Sequence, residues 1–100
     1  MTTIFFKRCG GFVGQGMRVQ IELAQLPVEE ARYLAQLIEQ TEFFHLPENF
    51  ILKFNPDEFQ YTITIDTEAE CHTVRANDST LPASLRPLVE ELSALRSIAG

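Results

Sequence analysis

The stretch Phe59-Gln60-Tyr61-Thr62-Ile63-Thr64-Ile65-Asp66 alternates without a break, apolar at the odd positions and polar at the even ones. Successive side chains of a β-strand point to opposite faces, so this period of two puts Phe59, Tyr61, Ile63 and Ile65 on one side and Gln60, Thr62, Thr64 and Asp66 on the other. Such a strand needs a sheet with one buried face and one open face. β-branched and aromatic residues suit that half-buried surface.

Working outward, Thr67-Glu68-Ala69-Glu70 is a polar turn and Cys71-His72-Thr73-Val74-Arg75-Ala76 reads as the returning strand of a hairpin, ended by Asn77-Asp78-Ser79-Thr80. A second hairpin is expected near the N-terminus. Residues 3 to 9 are rich in Phe and Ile, and in residues 17 to 23 Met17, Val19, Ile21 and Leu23 alternate with Arg18, Gln20 and Glu22. Between them lie Gly10, Gly11, Gly14 and Gly16, four of the five glycines of the chain. Glycine is favoured where the backbone takes positive φ or approaches another surface closely, so the cluster marks a purpose-built turn.

Two helices complete the pattern. Pro27 suits a first helical position, Glu29 and Glu30 face the positive end of the dipole, and Ala31, Leu34, Ala35 and Ile38 recur at helical spacing, which predicts a helix at about 27 to 42. Phe43-Phe44-His45-Leu46-Pro47 is expected to end it, with Pro47 as the stop and the aromatic pair folded back into the core. The last element carries Leu85, Leu88, Leu92 and Leu95 on one stripe, with Pro87 near its start. The order β-β-α-β-β-α predicts a two-layer α+β domain, in which two hairpins form a mainly antiparallel four-stranded sheet with both helices on one face.

The 100 residues read as one domain, 1–100, with 45% apolar content. Fourteen acidic residues against eight basic ones give a net charge of −6, which repels a phosphate backbone and argues against nucleic acid. No stretch approaches the roughly 20 apolar residues of a membrane helix, and no secretory leader is evident, so the expected setting is cytoplasmic. In that setting Cys9 and Cys71 are expected as free thiols.

Neither catalysis nor metal binding finds support. His45 and His72 share no motif, and Cys71 and His72, adjacent on a strand, point to opposite faces and cannot easily hold one ion. Glu29 and Glu30 serve a helix start, Glu68 and Glu70 lie in a turn, and Glu39, Glu42, Asp57, Glu58 and Asp66 show no pairing that signals a catalytic carboxylate dyad. The expectation is a protein without catalytic residues, cofactor or metal. Gly10-Gly11-Phe12-Val13-Gly14 lacks the lysine and the strand-to-helix context of a phosphate loop. It reads either as a bulged hairpin turn or as a presented loop, because the apolar Phe12-Val13 tip is unusual in a turn that serves only the fold. Phe50-Ile51-Leu52-Lys53-Phe54 is a second oddity, an apolar pentad in a connection, read as a short extra strand, a lid on the core, or an exposed binding patch.

These segments together, Cys9-Gly10-Gly11-Phe12-Val13-Gly14, Leu26-Pro27-Val28-Glu29-Glu30-Ala31, Phe43-Phe44-His45-Leu46-Pro47, Asp57-Glu58-Phe59-Gln60-Tyr61-Thr62-Ile63-Thr64-Ile65, His72-Thr73-Val74-Arg75 and Leu85-Arg86-Pro87-Leu88-Val89-Glu90-Glu91-Leu92, resemble the emfourin family. The resemblance runs over nearly the whole chain. Emfourins are small proteinaceous inhibitors of thermolysin-like metallopeptidases such as protealysin. The resemblance therefore implies a reversible inhibitor whose partner is a zinc endopeptidase. It places Gly10, Gly11, Phe12, Val13 and Gly14 at the partner-binding surface, with Phe12 as the apolar anchor. The segment from Asn49 to Phe54 is more apolar than the loop expected in that family, and Val13 and Gln15-Gly16-Met17 vary the turn. The competing expectation is a non-inhibitory interaction module or a homodimer that uses residues 50–54 or an open sheet edge.

Overall fold

The computed structural model describes residues 2–10, 16–52 and 57–99, with side chains described to residue 94. Four strands, β1 (Thr3–Gly10), β2 (Met17–Glu22), β3 (Phe59–Asp66) and β4 (Cys71–Asn77), and two helices, α1 (Val28–Thr41) and α2 (Arg86–Ala99), follow the β-β-α-β-β-α order. The strands form one antiparallel sheet in the order β2-β1-β3-β4. The two hairpins therefore join through their first strands. Because β2 and β3 both run antiparallel to β1, they run parallel to each other, and α1 is the crossover that carries the chain over β1.

The alternation in β3 is realised: Tyr61, Ile63 and Ile65 are buried and Gln60, Thr62 and Thr64 are not. Register extends that face across the sheet. Phe6 opposes Ile63 on one side and Val19 on the other, and Ile63 in turn opposes Val74. Ile4, Phe6, Ile63, Ile65 and Val74 join Leu34, Leu37, Phe43, Leu85, Leu88, Val89 and Leu92 in one core cluster, so both helices cover the same face of the sheet. Leu85 lies in the turn before α2 rather than within it, and Leu95 lies beyond the described side chains.

The first helix departs from expectation in three ways. Pro27 is its N-cap rather than its first residue. Its buried positions are Leu34, Leu37 and Thr41, so the inward stripe is rotated away from Ala31 and Ala35, small residues that leave the contact to larger ones. Pro47 is also not what stops it: Glu42 adopts the left-handed conformation at φ 52°, and a single 3-10 turn, Phe43–His45, follows. That turn buries Phe43 completely and leaves Phe44 half-buried, edge-on to it at 5.6 Å.

The apolar pentad resolves in part. Asn49 makes a parallel bridge to Arg75, with Phe50 N–H donating to the Arg75 carbonyl and Arg75 N–H to the Glu48 carbonyl, each at 2.8 Å. This rudimentary fifth strand covers a short length of the β4 edge. Phe50 packs against the core, whereas Leu52 is 91% exposed. Lys53 and Phe54 lie outside the described residues. Cys9 and Cys71 are free: Cys9 opposes Gln60 and Cys71 opposes Asp66, which places them near opposite ends of β3.

Two substitutions test this reading of the backbone. Gly10 sits at φ +90°, and a Cβ there would come 2.7 Å from the Glu58 carbonyl oxygen, while a Cβ at Gly16 would meet only the Arg8 carbonyl at 3.6 Å. Thermal melts should show Gly10→Ala losing about 2 kcal/mol or more, roughly 10 °C, with Gly16→Ala within about 0.5 kcal/mol of wild type. Glu42 carries a Cβ in the left-handed region and a carboxylate at the negative end of a helix with no basic residue in its last turn. Glu42→Gly removes both costs and should raise stability by about 0.5–1 kcal/mol in denaturant unfolding.

Candidate functional site

Antiparallel pairing brings the C-terminal ends of β1 and β4 and the N-terminal ends of β2 and β3 to one end of the sheet. The glycine turn leaves from that end. Of the five residues expected at the partner surface, Gly10 is the last residue of β1, while Gly11, Phe12, Val13 and Gly14 lie outside the described residues. Gly10 has a structural task, since only a residue without Cβ fits so close to the Glu58 backbone while opposing Phe59. From there Gly10 sets the direction in which the chain enters the turn.

The base beneath the turn is held by side chains that sequence patterns did not mark. The Arg8 guanidinium lies 4.6 Å from the centre of the Phe59 ring, a cation–π contact. Phe59 packs at 6.4 Å against Tyr61, which stacks on Phe6 at 6.3 Å. The Tyr61 hydroxyl donates to Asp78 Oδ1 at 2.7 Å, and the other Asp78 oxygen accepts the Phe59 N–H at 3.0 Å. The Asp78 N–H in turn donates to the Phe59 carbonyl at 3.2 Å, and Glu58 Oε1 accepts the Ser79 N–H at 2.6 Å. Asn77 and Thr80 bond through their side chains, and the Asn77 carbonyl accepts the N–H groups of Thr80 and Leu81. Asn77-Asp78-Ser79-Thr80, read from sequence only as a strand terminator, thus ties the β4 exit to the β3 entry. The signal was present in its composition, because Asn, Asp, Ser and Thr are the residues whose short side chains bond nearby backbone.

One of the two histidines serves the fold. His72 Nε2 donates to the Leu46 carbonyl at 2.7 Å, and its ring lies edge-on to Phe43 at 5.6 Å, pinning the exit of α1 to β4. His45 is exposed. Among the described residues no three His, Cys, Asp or Glu side chains cluster in a way that could hold a metal ion. Glu29 and Glu30 sit in the first turn of α1, as expected of helix-start carboxylates. No described helix is long and apolar enough to cross a membrane.

Burial foremost, then the hydrogen bond to Asp78 and its negative charge, push the Tyr61 hydroxyl up from 10.0 to about 12. The fold thus favours neutral Tyr61. The resulting stabilisation is fully present below pH 10.0 and is lost as pH rises through about 12. Ultraviolet titration should show a tyrosine step near pH 12 that is absent in Tyr61→Phe. In Asp78→Ala that step should move down while staying above 10.0, because burial is the largest cause. The same variant should lose about 1–3 kcal/mol of stability at neutral pH, as the Phe59 N–H and the Tyr61 hydroxyl are left without their acceptor.

Comparison with known proteins follows the same outline. The family model described as Emfourin matches residues 6–93. Among solved structures, emfourin from Serratia proteamaculans, described as an M4 family peptidase inhibitor, is 22% identical over 87% of this chain and 84% of that chain, with a TM-score of 0.48. No curated protein matches. With a match that takes in β1 from Phe6 onward, the other three strands, α1 and the first half of α2, this chain belongs to the emfourin family.

Proposed function

We propose that the chain is a reversible inhibitor of a thermolysin-like zinc metallopeptidase, acting in the cytoplasm, and that its glycine-rich turn enters the active-site cleft. The observation that carries this reading is membership of the emfourin family over residues 6–93. As a member of that family the chain is not an enzyme.

The architecture supports the turn as the entering element. Residues 11–16 connect Gly10 to Met17, and the pairing of Arg8 with Met17 holds the two strands together up to its base. A cleft that binds extended backbone and prefers a large apolar side chain just after the scissile bond takes Phe12 as its anchor, with Gly10 and Gly11 removing side-chain bulk before it. Strand pairing keeps the two ends of the turn together, so a cleaved bond would have nowhere to separate and the site stays blocked. Preorganisation of this kind lowers the ordering cost of binding. Inhibition by anchoring also requires no ligand to the peptidase's zinc from this chain.

Titration against a thermolysin-like peptidase tests the assignment. Wild type should inhibit as a monomer, and Phe12→Ala should weaken inhibition by roughly 30-fold, about 2 kcal/mol, without a change in melting temperature. Equal inhibition by the variant would remove Phe12 from the interface. A chain that leaves the peptidase active and scatters light as a stable dimer would instead favour self-association through the exposed Leu52 segment or the β2 edge.

A further inference from the structure

We propose that the open face of the sheet is a docking surface for an extended acidic segment of a partner protein, separate from the glycine turn. The face left uncovered by the helices is ordered in transverse rows by the strand register. One row reads Arg18, Lys7, Thr62, Arg75, each opposing the next across β2, β1, β3 and β4, roughly 14 Å from end to end. The adjacent row reads Gln20, Phe5, Thr64, Thr73, and the one beyond it Glu22, Thr3, Asp66, Cys71.

Three features single out the first two rows. Lys7 and Arg18 are directly opposed like charges, an arrangement that costs the sheet stability. Neither faces a carboxylate in its own row or in the adjacent Gln20-Phe5-Thr64-Thr73 row; Arg75, at the far end, has Glu48 beside it. Next to them Phe5 is 41% exposed on a central strand, and a depression of about 430 Å³ runs over Phe5, Lys7, Arg18, Gln20, Thr62 and Thr64. Its neighbours Thr64 and Thr73 bond to each other at 2.8 Å, which leaves the floor smooth.

Charge identifies the occupant. In a chain of net charge −6, the paired cations Lys7 and Arg18 stand out, and they lie beside an apolar ring. An extended segment that carries a carboxylate and an apolar side chain two residues apart has both on one side and presents both complements at once, carboxylates to Lys7 and Arg18 and an apolar side chain to Phe5. A continuous polyanion, whether a lipid surface or a nucleic acid, would meet Glu22 and Asp66 on the same face and the repulsion of the whole chain.

The experiment is an amide-shift titration of the full isotopically labelled chain with a short synthetic peptide in which glutamate and leucine alternate at every second position with serine between them, so that both face one side of the extended chain. Shifts confined to Phe5, Lys7, Arg18, Gln20 and Thr62, weakened several-fold by raising salt from about 0.05 to 0.3 M, are expected. The Lys7→Gln/Arg18→Gln pair should weaken binding about tenfold while melting no lower than wild type, because it removes the like-charge opposition. Should the pair melt lower, Arg18→Gln alone, at an exposed edge position, serves the same comparison. Undiminished binding by the variants, shifts on the helical face, or tighter binding to phosphatidylserine vesicles or a single-stranded oligonucleotide would each overturn the proposal. So would a wild-type dimer that the double substitution dissolves, since the face would then be covered by a second copy.

Discussion

Everything in this domain depends on β1 being held from both sides. It pairs antiparallel with β2 over Thr3 to Arg8 and with β3 over Thr3 to Gly10, and its inward residues Ile4 and Phe6 are the centre of the core. A strand that comes first in the chain and lies in the middle of the sheet forces the remaining connections. The β1–β2 link must be a local turn, the β2–β3 link must cross over through α1, and the end of β1, the entry to β3 and the exit of β4 must gather at the same end. Loss of that central pairing would expose a ladder of backbone donors and acceptors on both sides, at a cost far above that of any single side-chain contact. The position of Gly10, the last residue of β1, beside the β3 entry that Asp78 bonds follows from this topology.

The local elements were legible because their signals are local. Alternation in Phe59 to Asp66 and in Met17 to Leu23 needs only a pleat and one covered face, and the structure uses both. The order of the strands was not legible, since hairpin patterns name partners within each pair and are silent on which strands of the two pairs meet. The tilt of α1 was misread for a related reason. Ala31 and Ala35 fit the helical period as well as Leu37 and Thr41 do, and only packing against the sheet decides in favour of the larger side chains. Pro47 drew attention as a stop signal, yet the helix ends at a left-handed glutamate, a conformation that side-chain type does not announce.

At the end of the sheet where β1 stops and β2 starts, the glycines divide. Gly10 is required by the contact between two backbones inside the fold, whatever the turn does beyond it. Compositional reasoning identified the cluster but could not separate a glycine that the sheet needs from one that a partner needs, because both demand the same absence of a Cβ. Gly16 carries no such constraint from the described fold. The Asp78 network escaped notice because its bonds join residues 19 and 17 positions apart, a distance over which no periodicity speaks. Its consequence is mechanical. The residues that end β1 and those that enter β3 and leave β4 are bonded into one base.

The row of Arg18, Lys7, Thr62 and Arg75 makes the same point in charge. Along the sequence these residues are scattered; the register of four strands collects them. Charge is therefore unevenly spread over the molecule. Glu29, Glu30, Glu39, Glu90 and Glu91 lie on the helices and Glu42 at the end of α1, while the opposed cations Lys7 and Arg18 lie on the sheet face that the helices leave open. A net charge of −6 is thus the sum of two unlike surfaces, and it describes neither. Gly10 lies three positions beyond Lys7 on the same strand, so the proposed cleft-binding element and the proposed cationic docking face are joined by a short length of β1. Binding at one would position whatever segment of the same partner reaches the other, and the two weak sites would then act at the effective concentration set by that strand rather than by free diffusion.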